Sequence, residues 1–329
     1  MKNRICFLTL IVALTIAVSG LVCSAEEEKV PSEPMISTVV DAVNCELTYK
    51  LYDVSFYEQL SKEPGIIVPL EYTTDAYGDT IDRWANVYLP YGYDETKQYN
   101  IIYFLHGTNE NQDSLIGDVK VKNALDNMIL AGDTEPFIMV CPTYYYDYET
   151  RSIDMPNFVQ EVRKDLMPLV ESTYSTYAET ADEAGFIASR EHRAFAGYSR
   201  GSYATWHMFC NMLDYSKWYM PFSGAISGAD EMSLEATPEW QVETLEAAID
   251  AKSDYKDDFF VYIACGGKRD MMYDLVNAQV DAMLADTEYF SFGTDPAVNN
   301  FCYCISPRDI HQTLISRYYF YNAFGVVFH

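Results

Sequence analysis

The chain has 329 residues, enough for one large α/β domain, and 49% of them are apolar, so a substantial core can be buried. Its formal charge of −27 at pH 7 excludes nucleic acid and anionic membranes as partners, because both would repel it. A neutral polymer such as a polysaccharide is compatible with that charge.

Residues 1–25 read as a secretory signal peptide. Lys2 and Arg4 form the basic start, an apolar stretch follows, and Cys23-Ser24-Ala25 is a small-residue cleavage site. The apolar stretch is long enough to act also as an uncleaved anchor. The expected product is secreted, with no stable membrane insertion after cleavage, since no later segment is long and apolar enough to span a bilayer. Residues 26–65 form an acidic leader, EEEKVPSEPM, and an extension without clear periodicity. Residues 66–329 form the single expected domain, without repeats or a second composition regime.

From Ile66 the pattern sharpens. IIVPLEYTT and RWANVYLPYGY read as strands that form an antiparallel edge, and NIIYFLHG is a continuous apolar run of the kind buried on both faces. VKNALDNMILAG is a helix ending at Gly132, PFIMVCP a strand, and NFVQEVRKDLMPLVESTYSTY a long amphipathic helix kinked at Pro168. RAFAGYS is a strand followed by the helix RGSYATWHMFCNML. YMPFSGA, FFVYIACGG and FCYCIS are further strands, with helices in MMYDLVNAQVDAML and HQTLISRYYFYNAFGVVF. Alternation of this kind predicts an α/β chain with a mostly parallel central sheet and helices on both faces.

Six cysteines follow the signal segment: Cys45, Cys141, Cys210, Cys265, Cys302 and Cys304. Cys141, Cys265, Cys302 and Cys304 lie in or beside apolar strands, where a thiol serves as a small buried hydrophobe. There is no CxxC and no His/Cys cluster at zinc spacing, so no metal or other cofactor is expected.

Gly197-Tyr198-Ser199-Arg200-Gly201 fits G-x-S-x-G at a strand-to-helix corner. A serine on so tight a turn projects its Oγ above the sheet, and side chains two residues to either side would clash. A nucleophilic serine needs a base, and the base an orienting acid. Asp270 falls just beyond FFVYIACGG and His311 just beyond FCYCIS, so the catalytic set is Ser199, Asp270 and His311 in the order Ser, acid, base. Asp309 competes as the acid, with Asp230 and Asp258 weaker. His106 braces the loop after NIIYFL, where the Thr108 backbone N–H joins that of Arg200 to hold an oxyanion.

These residues resemble the carbohydrate esterases of the feruloyl esterase and acetylxylan esterase group, within the esterase-D-like α/β-hydrolases. The likeness rests on VYLPYGYDETKQYNIIYFLHG, EPFIMVCPTY, ESTYSTYAE, SREHRAFAGYSRGS, DYSKWYMPFSG, YIACGGKRDMMYD and SPRDIHQTLISRYYFYNAF, from about Ile66 to the end. The resemblance implies the α/β-hydrolase fold and a secreted serine esterase that removes feruloyl or acetyl groups from plant xylan through an acyl-serine intermediate. Three sites depart from the pattern. Thr108-Asn109 stand where relatives carry glycines, Arg200 and Ser202 where they carry Met and Gly, and Gln312-Thr313-Leu314 where aromatic residues follow the base. Tyr144 and Tyr145, with Tyr146 and Tyr148, are the expected aromatic surface for substrate, and Asp230 and Trp240 further rim residues. The alternatives are a catalytically silent carbohydrate-binding protein on the same fold, and an acyltransferase.

Overall fold

The computed structural model describes residues 58–328 apart from 118–119, 229–235 and 307–308, and the backbone of two strands before them. Those strands, β1 (Met35–Val39) and β2 (Val43–Leu47), pair antiparallel within the extension that showed no clear periodicity. The expected signal segment lies outside the described residues.

Eight strands form the main sheet: β3 (Ile66–Thr74), β4 (Ile81–Leu89), β5 (Asn100–Leu105), β6 (Phe137–Cys141), β9 (Arg193–Tyr198), β10 (Trp218–Phe222), β11 (Phe260–Gly266) and β12 (Phe301–Ser306). A separate hairpin joins β7 (Tyr145–Asp147) to β8 (Ser152–Ile153). The order across the sheet is β12-β11-β10-β9-β5-β6-β4-β3. β4 runs antiparallel to both its neighbours and every other pairing is parallel, which gives the expected antiparallel edge.

The helices are α1 (Val121–Ala131), α2 (Met155–Glu161), α3 (Met167–Thr173), α4 (Glu183–Ala188), α5 (Arg200–Met212), α6 (Pro238–Asp250), α7 (Tyr273–Ala285) and α8 (Thr313–Ala323). Gly132 caps α1 in the left-handed conformation, as its place at the end of the apolar pattern predicts. Pro168 does not break the long helix. A π-helical turn, Val162–Leu166, lies immediately before it and joins α2 to α3, so the helix runs on without a break through the proline.

Successive side chains of a strand point to opposite faces, and here both faces are covered. Tyr103, Leu105, Val140, Phe195 and Ile263 pack with α2, α5, α6 and α7 on one face. Ile102, Phe104, Met139, Ala196 and Tyr262 pack with α1 and α8 on the other. Two cores back to back explain why the central strands are continuous apolar runs. Cys141, Cys265, Cys302 and Cys304 are buried in their strands, as the apolar runs around them predict.

The chain leaves β5 toward β6 on one side and returns to β9 on the other. A crevice therefore opens beyond the carboxyl ends of β5 and β9, the place where open α/β sheets bind ligands.

Candidate active site

Ser199 occupies that crevice. It follows β9 directly and caps α5 with φ 55° and ψ −114°, a conformation that a residue with a Cβ rarely adopts. Its N–H donates to Phe222 O at 2.8 Å and its carbonyl accepts from Tyr203 N at 3.1 Å, which pins the turn from both sides. The flanking glycines are steric necessities. A Cβ on Gly197 would lie 2.1 Å from the Gly201 carbonyl oxygen, and one on Gly201 would lie 2.1 Å from that of Leu105. Helix α5 thus starts directly on the ends of β9 and β5.

The two other residues expected from chain order meet Ser199 there. His311 Nε2 is 2.8 Å from Ser199 Oγ, and His311 Nδ1 is 2.8 Å from Asp270 Oδ1. The geometry assigns the proton to Nδ1, donated to the carboxylate, and leaves Nε2 to accept from the hydroxyl. The imidazole keeps a partly exposed edge, whereas the Asp270 side chain is wholly buried. Burial pushes the Asp270 carboxyl up. Hydrogen bonds from His311, from Met272 N–H and from Ser223 Oγ outweigh it and hold the group below the usual aspartate value. Asp270 therefore stays ionised beside the imidazole.

The rival acids are engaged elsewhere. Asp309 accepts from Ser306 Oγ, and Asp258 pairs with Arg190 and Lys217. Asp230 lies outside the described residues. His192 bonds Asn100 and stacks on Tyr177, while His207 packs against Tyr203.

The loop after β5 is built around His106. Its Nδ1 donates to Gly107 O at 2.8 Å and its Nε2 accepts from Thr143 Oγ1 at 2.7 Å. Burial lowers its pKa to about 4, so the ring is neutral and structural, as expected. Gly107 N–H is taken by Glu110 Oε2 at 2.7 Å and Asn109 N–H by Tyr145 Oη at 3.1 Å. Thr108 N–H, between them, has no partner among the described residues, and neither has Arg200 N–H at the first turn of α5. Those two amides are the ones expected to face an oxyanion. Asn109 takes φ 66°, so an asparagine serves where a glycine would have been easy.

Tyr144 and Tyr145 require a correction. Both were expected as substrate-facing rings, yet their relative exposures are 0% and 1%. Tyr144 Oη donates to the carbonyls of His106 and Gly107 at 2.9 and 3.0 Å, with its ring stacked on His106. They lie beneath the loop and hold it. Trp240 sits half exposed in the first turn of α6, its N–H bonded to the Thr237 hydroxyl, with no hydrogen bond or ring contact to the triad. The sequence reading missed Ser223 on Asp270, Thr143 on His106 and Glu110 on Gly107. Only the apolar run ahead of each hinted at a site position.

A strained serine at a strand–helix corner, a buried carboxylate and a bridging imidazole define a serine hydrolase of the α/β-hydrolase class. The family model Esterase matches residues 81–292, and the chain belongs to that family. It is 38% identical over 268 residues to endo-1,4-beta-xylanase Y of Acetivibrio thermocellus, covering 81% of this chain and 23% of that protein. The chain thus spans about a quarter of that relative. A variant of the feruloyl esterase module from Clostridium thermocellum, complexed with sinapinate, is 35% identical and superposes with a TM-score of 0.76 over 89% of this chain and 96% of its own. A ferulic acid esterase of the anaerobic fungus Anaeromyces mucronatus, 19% identical, shares the fold with a TM-score of 0.61 over 86% of this chain and 98% of its own.

Proposed function

We propose that the chain is a secreted esterase that removes feruloyl or acetyl groups from plant xylan through an acyl-serine intermediate. The observation that carries this reading is the imidazole of His311 bonded at both ends, to Ser199 and to Asp270. Ser199 Oγ attacks the ester carbonyl as its proton passes to His311 Nε2. The tetrahedral oxyanion is held by the amides of Thr108 and Arg200, each such donor contributing about 3 kcal/mol. On collapse, His311 returns the proton to the departing sugar hydroxyl. A water then gives its proton to His311 and attacks the acyl-serine, which releases the carboxylic acid and restores Ser199. No cofactor enters this cycle.

The names of the relatives support the substrate class, since one is a xylanase and another a feruloyl esterase module holding a hydroxycinnamate. The basic and apolar start of the chain supports export. A fluorophosphonate probe should modify Ser199, as located by mass spectrometry, and block release of ferulate from methyl ferulate or of acetate from acetylated xylan. An adduct on another residue, or none, would refute the reading.

A further inference from the structure

The antiparallel edge of the sheet carries a second feature. β4 pairs with β6 only through Asn86, Val87 and Tyr88, and β6 ends at Cys141, the partner of Asn86. Residues Ile81–Ala85 and their partners Leu70–Thr74 therefore overhang the carboxyl edge of the sheet, on the same side as Ser199. In that overhang Glu71 lies opposite Trp84, and Thr73 opposite Asp82. Directly paired residues share a face, so these four side chains form one contiguous, solvent-facing patch. An open cavity of about 560 Å³ lies there, lined by Glu71, Tyr72, Thr73, Asp82, Arg83 and Trp84.

The opposite face of the overhang is anchored. Arg83 Nε and Tyr72 Oη both bond Glu161 Oε1, at 2.8 and 2.6 Å, and Thr74 Oγ1 bonds Asp165 Oδ2 at 2.6 Å. Trp84 stacks on Tyr148 with ring centroids 5.3 Å apart and planes 9° from parallel, and Tyr77 stacks on Tyr146 at 5.1 Å. Tyr148 Oη donates to Gln112 in the loop that begins at Gly107, which ties the patch to the catalytic loop. The result is a rigid aromatic shelf beside the active site, with Trp84, Tyr146 and Tyr148 each more than a third exposed.

We infer that this shelf is a subsite for the neutral sugar chain that bears the ester, an inference that rests on the esterase reading above. Flat rings pack against the C–H faces of pyranoses, and unpaired carboxylates accept from their hydroxyls. Glu71 and Asp82 have no hydrogen-bond or ionic partner among the described residues. Their charge, like that of the whole chain, rejects a polyanion and leaves a neutral glycan as the occupant.

Two measurements test it. In native affinity electrophoresis through soluble arabinoxylan, the Ser199→Ala protein should be retarded, and adding Trp84→Ala should abolish the retardation. In kinetics, Trp84→Ala should raise KM for a feruloylated xylo-oligosaccharide about fivefold while methyl ferulate changes less than about twofold, the scale of one lost aromatic contact. Equal losses on both substrates, unretarded Ser199→Ala protein, retardation that survives Trp84→Ala, or retardation by polygalacturonate instead, would overturn it. The gel needs no turnover, so a failed esterase reading and a failed subsite give different results.

Discussion

Ser223 Oγ donates to Asp270 Oδ2 at 2.9 Å, while the other oxygen of the same carboxylate faces His311 at 2.8 Å. Ser223 follows β10 directly, with φ 50°, so the strand between the nucleophile and the acid places the residue just beyond its carboxyl end in the relay. Removing this donor takes away the hydroxyl hydrogen bond and leaves Asp270 Oδ2 the longer one from the Gly266 N–H at 3.2 Å. Ser223→Ala should lower kcat/KM about tenfold, the cost of one hydrogen bond to a buried charge. Steady-state kinetics on an aryl ester reads it.

The backbone of Ser199 stores strain that a glycine would release. Ser199→Gly should abolish turnover yet stabilise the protein by about 1 kcal/mol, once the entropy cost of glycine is deducted. Ser199→Ala should abolish turnover without that gain. Denaturant unfolding of the two variants distinguishes them.

Tyr144 supports the loop whose free amide is expected to meet the oxyanion. Tyr144→Phe keeps the stack on His106 and leaves the buried His106 carbonyl without its side-chain donor, while the Gly107 carbonyl keeps the His106 Nδ1–H. Stability should fall by about 1–3 kcal/mol. The catalytic loss should appear in kcat rather than KM, because the amide acts on the transition state.

His106 and His207 are both lowered by burial to about 4, against 6.5 when exposed. Between those values the unfolded chain binds protons that the folded chain refuses, so folding stability rises with pH across this window. Acidification from about 6.5 to about 4 should therefore cost up to about 3 kcal/mol per histidine. Thermal midpoints measured through that range check it, and His207→Gln should flatten the slope.

Much of this was legible in the residues themselves. β5, β6, β9, β11 and β12 announce themselves because both faces are buried, and chain order brought Ser199, Asp270 and His311 together. The β7–β8 hairpin escaped notice because strands of three and two residues leave no alternation to read in YYYDYETRSI. Tyr144 and Tyr145 were misplaced for a related reason: four tyrosines in one loop look alike, and only packing decides which two go under it. Helix α6 was missed although Thr237 and Pro238 mark its start. Glu161 reads as part of a solvated helix face, and only the folded chain reveals Arg83 as its buried partner.

The π-helical turn at Val162–Leu166 works as a phase shifter. An α-helix advances by about 100° per residue, so the additional residue resets which way everything before it points. Deleting one residue there would regularise the helix while swinging Glu161 off Arg83 and the tyrosine hydroxyls that converge on it. The irregularity is how one helix serves two masters: a greasy stripe toward the sheet and a carboxylate aimed at the overhanging hairpin.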